Sequence, residues 1–435
     1  MFKGIRIYIF FVFIYSACSG IGLSFQSQDT PGQPQTPLVS QCSMFQPINI
    51  EEAVHRALTL NSDLQAIRLE EGAAYGQLEK ARLFLINNPT IGCNVSKKER
   101  PEGESGSAFT NYGFKLSQEF EVAGQRSIRI DIAEKELAKI KAEIKDKERV
   151  VVADVKDAFT KVLAVKKKNG LAQEIVRLNE ELLGYAKIKF QAGEVSSLNV
   201  NLSEVELSKA KKEVLLIGRE CRESLLALQG FIGLSPEASF DVHGDLPSKA
   251  PALPDKEFMK AALYRRPDVK ATLLEVEKTR SAKKLVEKES IPDITLSGFY
   301  DRDERRNTVG IEVSIPLPLF DRKQAEKKEA YSKAAAAKIK SNGLEKAIQR
   351  DFELAYSNLV TAIEELSLFK KEIIVIAAEN LDLLNLAFKE GKVGFFEVRL
   401  AQKDTIEAQF AFIEAQERTQ LALNAIEKTI GGTLE

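Results

Sequence analysis

The 435-residue chain has no tryptophan and contains only three methionines, four cysteines and two histidines. The scattered methionines cannot form a copper-binding cluster, and the cysteines lack the paired spacing typical of a zinc site. His55 and His243 lie far apart in the sequence and are predicted to be structural or surface residues. There is also no nucleophile elbow, phosphate-binding glycine loop or HExxH motif. The sequence therefore predicts no enzyme, no cofactor and no metal site.

An excess of charge of one sign is also missing. The chain has 62 Lys and Arg residues against 63 Asp and Glu residues, which gives a formal net charge of -1. Proteins that bind nucleic acid carry a basic patch or stripe, so this balance argues against a nucleic-acid partner. Interleaved charges at helical spacing are instead typical of solvated helix surfaces.

Long apolar runs are absent too. The longest, Ile7–Tyr15, follows Lys3 and Arg6 and is shorter than the roughly 20 residues of a spanning helix. It predicts an export signal peptide over residues 1–17, and so a mature protein that leaves the cytoplasm without a transmembrane helix. Ser16-Ala17-Cys18 resembles the bacterial lipobox, which makes Cys18 a candidate lipidation site; ordinary cleavage nearby is the alternative. Residues 18–47, rich in Ser, Gln and Pro, predict a flexible tether.

The most informative feature that is present is an internal repeat. The segment Phe190–Val200, FQAGEVSSLNV, returns as Phe388–Val398, FKEGKVGFFEV. Each copy lies between two long helical patterns and follows a pair of strand patterns, which predicts a duplicated unit of two strands and one long helical hairpin. The predicted parts are a first repeat over residues 48–234 with its hairpin near 122–232, a linker or equatorial segment over 235–256, and a second repeat over 257–432 with its hairpin near 321–430.

Four segments alternate polar and apolar residues with the period of two that indicates strands. Each approaches the roughly 9–11 residues with which a tilted strand crosses a bilayer. A soluble, half-buried sheet gives the same pattern, but the export signal and helices too long to cover the sheet favour a membrane barrel. Lys115 and Glu312 are among the polar positions and are predicted to face water in the lumen. The predicted strands lie near residues 90–97, 109–119, 292–300 and 307–316.

Apolar residues in the helical patterns recur at steps of three and four, which is typical of a coiled-coil seam. From about Gln125 to Phe190 such a helix is about 100 Å long. The returning helix of the first hairpin has a predicted seam at Leu198, Leu202, Val205, Val214, Ile217, Cys221, Leu225 and Leu228. The second half has a predicted seam at Leu344, Ile348, Ala355, Leu359, Leu366, Phe369, Ile373, Ile376, Leu381 and Leu384.

Four strands cannot close a transmembrane barrel. Two copies of the chain provide eight strands, and side chains fill the interior of a barrel of that size. Three copies provide twelve strands with room for a lumen, and their helices continue as a ring of twelve. The sequence therefore predicts a homotrimer that encloses a water-filled duct.

The residues that carry a family resemblance are the duplicated Phe-x-x-Gly-x-x-x-x-x-x-Val turn and Arg266-Pro267-Asp268. With the strand–helix–helix order, they resemble the TolC family of outer-membrane efflux proteins over residues 48–432. Ile315–Gln324, IPLPLFDRKQ, resembles a segment of the CzcC-like (cobalt–zinc–cadmium) branch and predicts a capped helix start at Asp321 and Gln324. Lys323, commonly Asn there, and Ala325, commonly Gly, depart from that pattern.

The resemblance implies a mainly α chain with a membrane β-barrel portion. Three chains would form a 12-stranded barrel in outer-membrane lipid and a 12-helix periplasmic tunnel. The implied partners are a periplasmic adaptor (membrane fusion) protein and an inner-membrane RND transporter. The adaptor would dock on the turns at the hairpin tips, where glycine tolerates the positive φ of a tight reversal; the alternative is that these are turn residues only. The predicted docking residues are Gly193, Glu194, Val195, Gly391, Val393 and Gly394.

The predicted function is a passive exit duct for divalent heavy-metal ions in a tripartite efflux system. A ring of carboxylates from Glu194, Glu390 or Glu397 could bias the tunnel entrance toward cations. Two alternatives stay open. The same duct could serve drug efflux or type I protein secretion, or the chain could be a periplasmic coiled-coil adaptor without a pore.

Overall fold

The computed structural model describes residues 48–98, residues 109–248 except 236 and 239, and residues 255–432 except 305 and 391. The predicted signal peptide, the tether and Cys18 lie outside the described residues. Within these ranges, no helix is both long enough and apolar enough to cross a membrane.

The described chain consists of two similar halves. The first contains α1 (Ile50–Leu60), α2 (Ser62–Arg82), β1 (Thr90–Lys98), β2 (Phe109–Phe120), α3 (Gln125–Gln191) and α4 (Ser197–Ile232). The second contains α5 (Lys256–Leu263), α6 (Pro267–Glu289), β3 (Ile294–Asp303), β4 (Arg306–Ser314), α7 (Gln324–Leu368), a π-helical turn (Phe369–Ile373), α8 (Ile374–Lys389) and α9 (Phe395–Ile430). The prediction of a mainly helical chain with four strands and two long hairpins is confirmed.

The four strands form one antiparallel sheet in the order β1-β2-β3-β4. The halves meet inside it, because β2 pairs with β3 in a register that places Phe114 opposite Tyr300. The outer strands, β1 and β4, are the two edges of the sheet. Each edge presents unpaired backbone N–H and C=O groups along one side.

Each half closes with the same junction between a short helix and the end of the returning helix. Asn61 caps α2 through the backbone N–H of Leu64 and donates from Nδ2 to the Phe231 carbonyl at 3.2 Å. Arg266 donates to both carboxylate oxygens of Asp268 and to the Thr429 carbonyl at 2.7 Å. Burial opposes the charge of Asp268, but the bonds from Arg266 outweigh it and lower the pKa of that carboxyl.

Apolar seams hold each hairpin together near the end of its returning helix. In the first, Val155, Phe159 and Val162 of α3 form one buried cluster with Leu228 and Ile232 of α4. In the second, buried residues of α7 and α9 form the cluster that includes Phe352, Leu359, Ala422, Ile426 and Ile430. At roughly 1.5–3 kcal/mol for each large side chain removed from water, these seams make each hairpin a rigid unit.

Near the first tip the predicted seam is wrong. Leu198, Leu202 and Val205 are exposed. The buried residues of α4 toward the tip are Ser203, Ala210 and Ile217, at steps of seven. Those of α3 are Ala172, Asn179 and Ala186, also at steps of seven. Small residues let the two helices approach closely, so the large apolar side chains lie outside the seam.

The predicted seam of the second hairpin is wrong at Ile373 and Ile376, which are exposed. The π-helical turn holds one extra residue, which rotates everything after it by about 100°. The less exposed positions of α8 therefore become Ile374, Ala377, Leu381 and Leu384. The five-residue step from Ile376 to Leu381 was the sequence signal of this insertion.

The two longest helices begin in the same way. Gly124 and Lys323 precede α3 and α7 with positive φ angles of 78° and 60°. The side-chain oxygen of Gln125 accepts from the Ala123 N–H at 2.8 Å, and that of Gln324 accepts from the Arg322 N–H at 2.8 Å. Asp321 accepts from the N–H of Lys323, which is itself the N-cap and whose side chain makes no capping hydrogen bond, so the predicted capped start at Asp321 and Gln324 is wrong. Lys323 thus stands where the first half has glycine, in a conformation that costs about 1–2 kcal/mol for a residue with a Cβ.

We expect Lys323→Gly to stabilise the assembled protein by about 1 kcal/mol per chain, because it removes this backbone strain. The ion pair of Lys323 with Glu326 is exposed and contributes little. The measurement is the midpoint of thermal unfolding. Lys327→Gly, inside α7, is the matched control and should lower the midpoint, since glycine disfavours a helix interior by about 1 kcal/mol. A lower midpoint for Lys323→Gly would contradict the strain.

Candidate functional site

The sheet has one apolar and one polar face. The strand registers and the period of two place large apolar residues on the same side, and most of them are exposed. A wall with lipid on one side and water on the other requires such a division. The apolar face includes Ile91, Val95, Phe114, Leu116, Leu296, Tyr300, Val309, Ile311 and Val313, and the polar face includes Thr90, Asn94, Ser96, Asn111, Lys115, Ser117, Ser297, Asp301, Thr308 and Glu312.

Lys115 and Glu312 meet on the polar face. The Lys115 Nζ lies 2.8 Å from Glu312 Oε2, so β2 and β4 are tied together across β3. Beside them, Ser297 donates to the Ser117 hydroxyl at 2.9 Å. That these groups line a lumen stays a prediction. The contact shows that their charges compensate each other, so this pair offers a passing ion little net charge.

The first tip is a tight turn between α3 and α4. Gly193 has a φ of 75°, and the Glu194 N–H reaches back to the Lys189 carbonyl at 2.9 Å. This bond spans five residues, as at the glycine end of many helices, and it needs the positive φ that glycine allows. Glu194 is exposed and Val195 is half-buried, so both are presented beyond the helix ends.

The second tip repeats this turn with a different charge. Gly391 lies outside the described residues. The Lys392 N–H donates to the Ala387 carbonyl at 2.9 Å, again across five residues, so Lys392 stands where Glu194 stands in the first tip. Val393 is half-buried. Gly394 has a φ of -82°, so the expectation that the tip glycines serve a positive φ is wrong there.

The space that a side chain at Gly394 would occupy is nearly empty. A Cβ built on it would meet only the flexible carboxylate of Glu397, with Oε2 at 2.8 Å. The fold therefore does not require glycine at this position, which makes it suitable for testing a surface role by substitution.

The carboxylates of the predicted ring, Glu194, Glu390 and Glu397, lie close to groups that offset their negative charge. Glu194 lies 3.5 Å from the Lys189 ammonium, and Glu390 lies 2.5 Å from that of Lys392. Glu397 lies in the first turn of α9, where the helix dipole favours an anion. Attraction of cations by this ring stays a prediction. Within the described ranges there is no group of three or more His, Cys, Asp or Glu residues able to hold a metal ion.

Polar contacts, which the sequence analysis missed, join the two hairpins along α3 and α9. Their partners are more than 200 residues apart, so no local spacing signals them. Each is an ion pair or amide bond of a kind that contributes little when water reaches it. They pair Asp154 with Lys428 at 2.8 Å, Lys156 with Glu427 at 2.5 Å, Asp157 with Asn424 at 2.9 Å, Lys168 with Glu414 at 3.2 Å and Asn179 with Arg399 at 3.1 Å.

Arg399 is the member of this set nearest the tips. Its guanidinium donates to the Asn179 carboxamide oxygen and lies 3.7 Å from Glu206 Oε2, so α9 is tied to both helices of the first hairpin. The side chain is only 19% exposed and lines a cavity of about 250 Å³ where α3, α4 and α9 converge. Its removal would take away the contacts that tie α9 to Asn179 and Glu206 near the tips without touching the apolar seams within each hairpin.

We expect Arg399→Ala to favour separation of the tips by about tenfold, since a hydrogen bond to a charged group contributes about 1.5 kcal/mol. The measurement is the open probability of the purified protein in planar lipid bilayers. Lys403→Ala, one turn further along α9 with an exposed partner in Glu407, should leave it unchanged. Equal open probabilities for the two variants would show that Arg399 does not hold the tips.

Asp157 gives a pH-dependent prediction. Burial raises the pKa of its carboxyl, although Asn424 donates to it and Lys428 lies nearby. The folded protein therefore disfavours the ionised form, and this destabilisation disappears as the pH falls through the raised pKa. We expect Asp157→Asn to raise the unfolding midpoint at pH 7 by about 1–3 °C, and the gain to vanish in acid. A gain that is the same at both pH values would contradict this assignment.

Comparisons with known proteins agree with this architecture. The family model described as outer membrane efflux protein matches residues 53–234 and 258–432. The cobalt-zinc-cadmium resistance protein CzcC of Cupriavidus metallidurans is 23% identical over 387 residues, which cover 88% of this chain and 90% of that protein. The nickel and cobalt resistance protein CnrC of the same organism is 24% identical over 312 residues, covering 71% and 73%.

Among solved structures, the outer-membrane channel OprN has the same fold, with a TM-score of 0.75 at 18% identity over 88% of this chain and 90% of that one. The two stretches matched by the family model contain both strand pairs and both hairpins. The chain belongs to the outer membrane efflux protein family.

Proposed function

We propose that three copies of this chain form a passive duct that releases divalent heavy-metal ions across the outer membrane. The observation that carries the duct is the two-faced sheet with two unpaired edges. In lipid those edges must find partners, and three copies supply the twelve strands that enclose a lumen. The hairpins of the three copies then continue the wall as a helical tunnel into the periplasm.

The hairpin tips are the proposed docking surface for a periplasmic adaptor, which links the duct to an inner-membrane RND transporter. Both tips expose large apolar side chains outside their seams, and such residues suit a partner built of amphipathic helices. Exposed apolar residues near the tips include Ile188, Phe190 and Leu198 in the first hairpin and Leu383, Leu386 and Leu400 in the second. The turn residues Gly193, Glu194, Val195, Gly391, Val393 and Gly394 complete the surface.

Divalent metals are the proposed cargo because the relatives CzcC and CnrC are resistance proteins for cobalt, zinc, cadmium and nickel. The sheet and the hairpins would serve any duct of this family, so the cargo must be tested directly. The test compares a deletion strain with the complemented strain for growth on cobalt, zinc, cadmium, nickel and a set of drugs. Sensitivity to metals alone supports the proposal, whereas sensitivity to drugs alone would replace it with the drug-efflux function.

The docking role is tested at Gly394, where the backbone accepts a larger side chain. We expect Gly394→Leu to weaken adaptor binding about tenfold or more, because overpacking a contact costs about 1–3 kcal/mol. Metal resistance should fall while the trimer persists in size-exclusion chromatography. Gly76→Leu, on exposed α2 with open space around it, is the matched control. Full resistance and adaptor binding in Gly394→Leu would exclude this part of the tip from docking.

A further inference from the structure

The connection between β4 and α7 exposes an unusual amount of apolar surface. Its first part, Ile315–Phe320, is called here the apolar connector. Leu317 is 75% exposed, Leu319 is 65% exposed and Phe320 is 92% exposed. Side chains of this size are seldom left together in water, because each forfeits about 1.5–3 kcal/mol of burial free energy. Something other than the described residues therefore covers them.

The connector continues the apolar face of the sheet. On β4 every second residue is apolar, and the alternation runs on past the end of the strand at Ser314. The odd-numbered positions of β4 lie on the face whose other members are large and apolar. The continuous series is Val309, Ile311, Val313, Ile315, Leu317 and Leu319. The surface that the strands present to lipid thus extends into a segment that belongs to no strand.

The apolar face of the strands is shorter than the apolar band of the membrane. On β2 the apolar face begins at Tyr112, whose hydroxyl accepts from Arg302 at 3.1 Å, and ends at Phe120. That stretch is about 26 Å long at 3.3 Å per residue, which a tilt near 40° reduces to about 20 Å along the membrane normal. The apolar band of outer-membrane barrels is about 25 Å tall. The missing layer lies at the end of the sheet where the connector begins.

The backbone of the connector suits a site with little water. An irregular chain in lipid is costly because its N–H groups lack partners. Pro316 and Pro318 have no N–H, and the Leu319 N–H donates to the Leu317 carbonyl at 2.8 Å. Half of the six connector residues therefore place no free donor in the lipid. Arg322 follows within two residues and can reach a phosphate at the surface.

The same end of the sheet carries a second apolar connection. Leu83 and Phe84, between α2 and β1, are both exposed. We propose that the apolar connector, with Leu83 and Phe84, lies in the inner leaflet of the outer membrane and packs against phospholipid acyl chains. It thereby supplies the layer of the apolar band that the strands do not reach. Continuity with the lipid-facing surface of β4 favours lipid over a neighbouring subunit as the occupant.

The absence of tryptophan gives a direct test. Leu317→Trp introduces the only indole in the protein, so its fluorescence has no background from the chain. The purified trimer is reconstituted into vesicles of phosphatidylethanolamine and phosphatidylglycerol, with or without brominated acyl chains. We expect brominated lipid to quench Leu317→Trp strongly, and aqueous iodide to quench it weakly.

Two single-tryptophan variants of matched exposure calibrate the experiment. Ile311→Trp, at a strand position 79% exposed, should be quenched by brominated lipid. Ile339→Trp, at a position 71% exposed and about 22 Å along α7 from its first residue, should not. Leu317→Trp quenched by iodide like a free indole would place the connector in water. Quenching by neither agent would place it under a neighbouring subunit, and either result overturns the proposal.

Discussion

Everything else in this structure depends on the two open edges of the four-stranded sheet. A soluble protein can leave an edge to water, but a sheet with one apolar and one polar face has no such choice in a bilayer. The N–H and C=O groups of β1 and β4 must pair with other strands, and since the described residues contain no strand outside this sheet, other copies of the chain supply them. The closed β-sheet wall can therefore form only when several copies of the chain associate, and three copies supply its twelve strands.

The helices make two kinds of contact, one within each hairpin and one between the two hairpins. Within each hairpin, apolar clusters such as Phe159 with Leu228 bury large side chains and resist separation. Between the hairpins, α3 and α9 meet through ion pairs and amide bonds such as Asp157 with Asn424, beside a small apolar cluster that includes Ala164 and Ile413. The polar contacts exchange more readily for contacts with water, so they resist separation of the hairpins less than the apolar clusters within each hairpin do.

The strands and hairpins could be predicted from sequence because their information is local. The period of two in Val309, Ile311 and Val313 and the copied turn at Gly193 need no knowledge of distant residues. The contact of Arg399 with Asn179 could not be predicted, because its partners are 220 residues apart and neither is unusual alone. The seam at Leu198 failed for another reason. Hydrophobicity marks a residue as apolar, but here the helices approach closely enough that small side chains fill the interior.

The π-helical turn shows how one residue sets what a helix presents. α3 runs unbroken for 67 residues, whereas its counterpart in the second half is interrupted after Leu368. With regular turns, the seam that passes through Leu359 and Leu366 would continue through Ile373 and Ile376 and bury them against α9. The extra residue leaves these positions exposed, whereas Ile374 and Ala377 are half-buried. The seam is thus kept with one smaller residue, and the displaced isoleucines add to the apolar surface above the second tip. An insertion that looks like a defect in the heptad pattern therefore changes which apolar residues are exposed near the end of the hairpin.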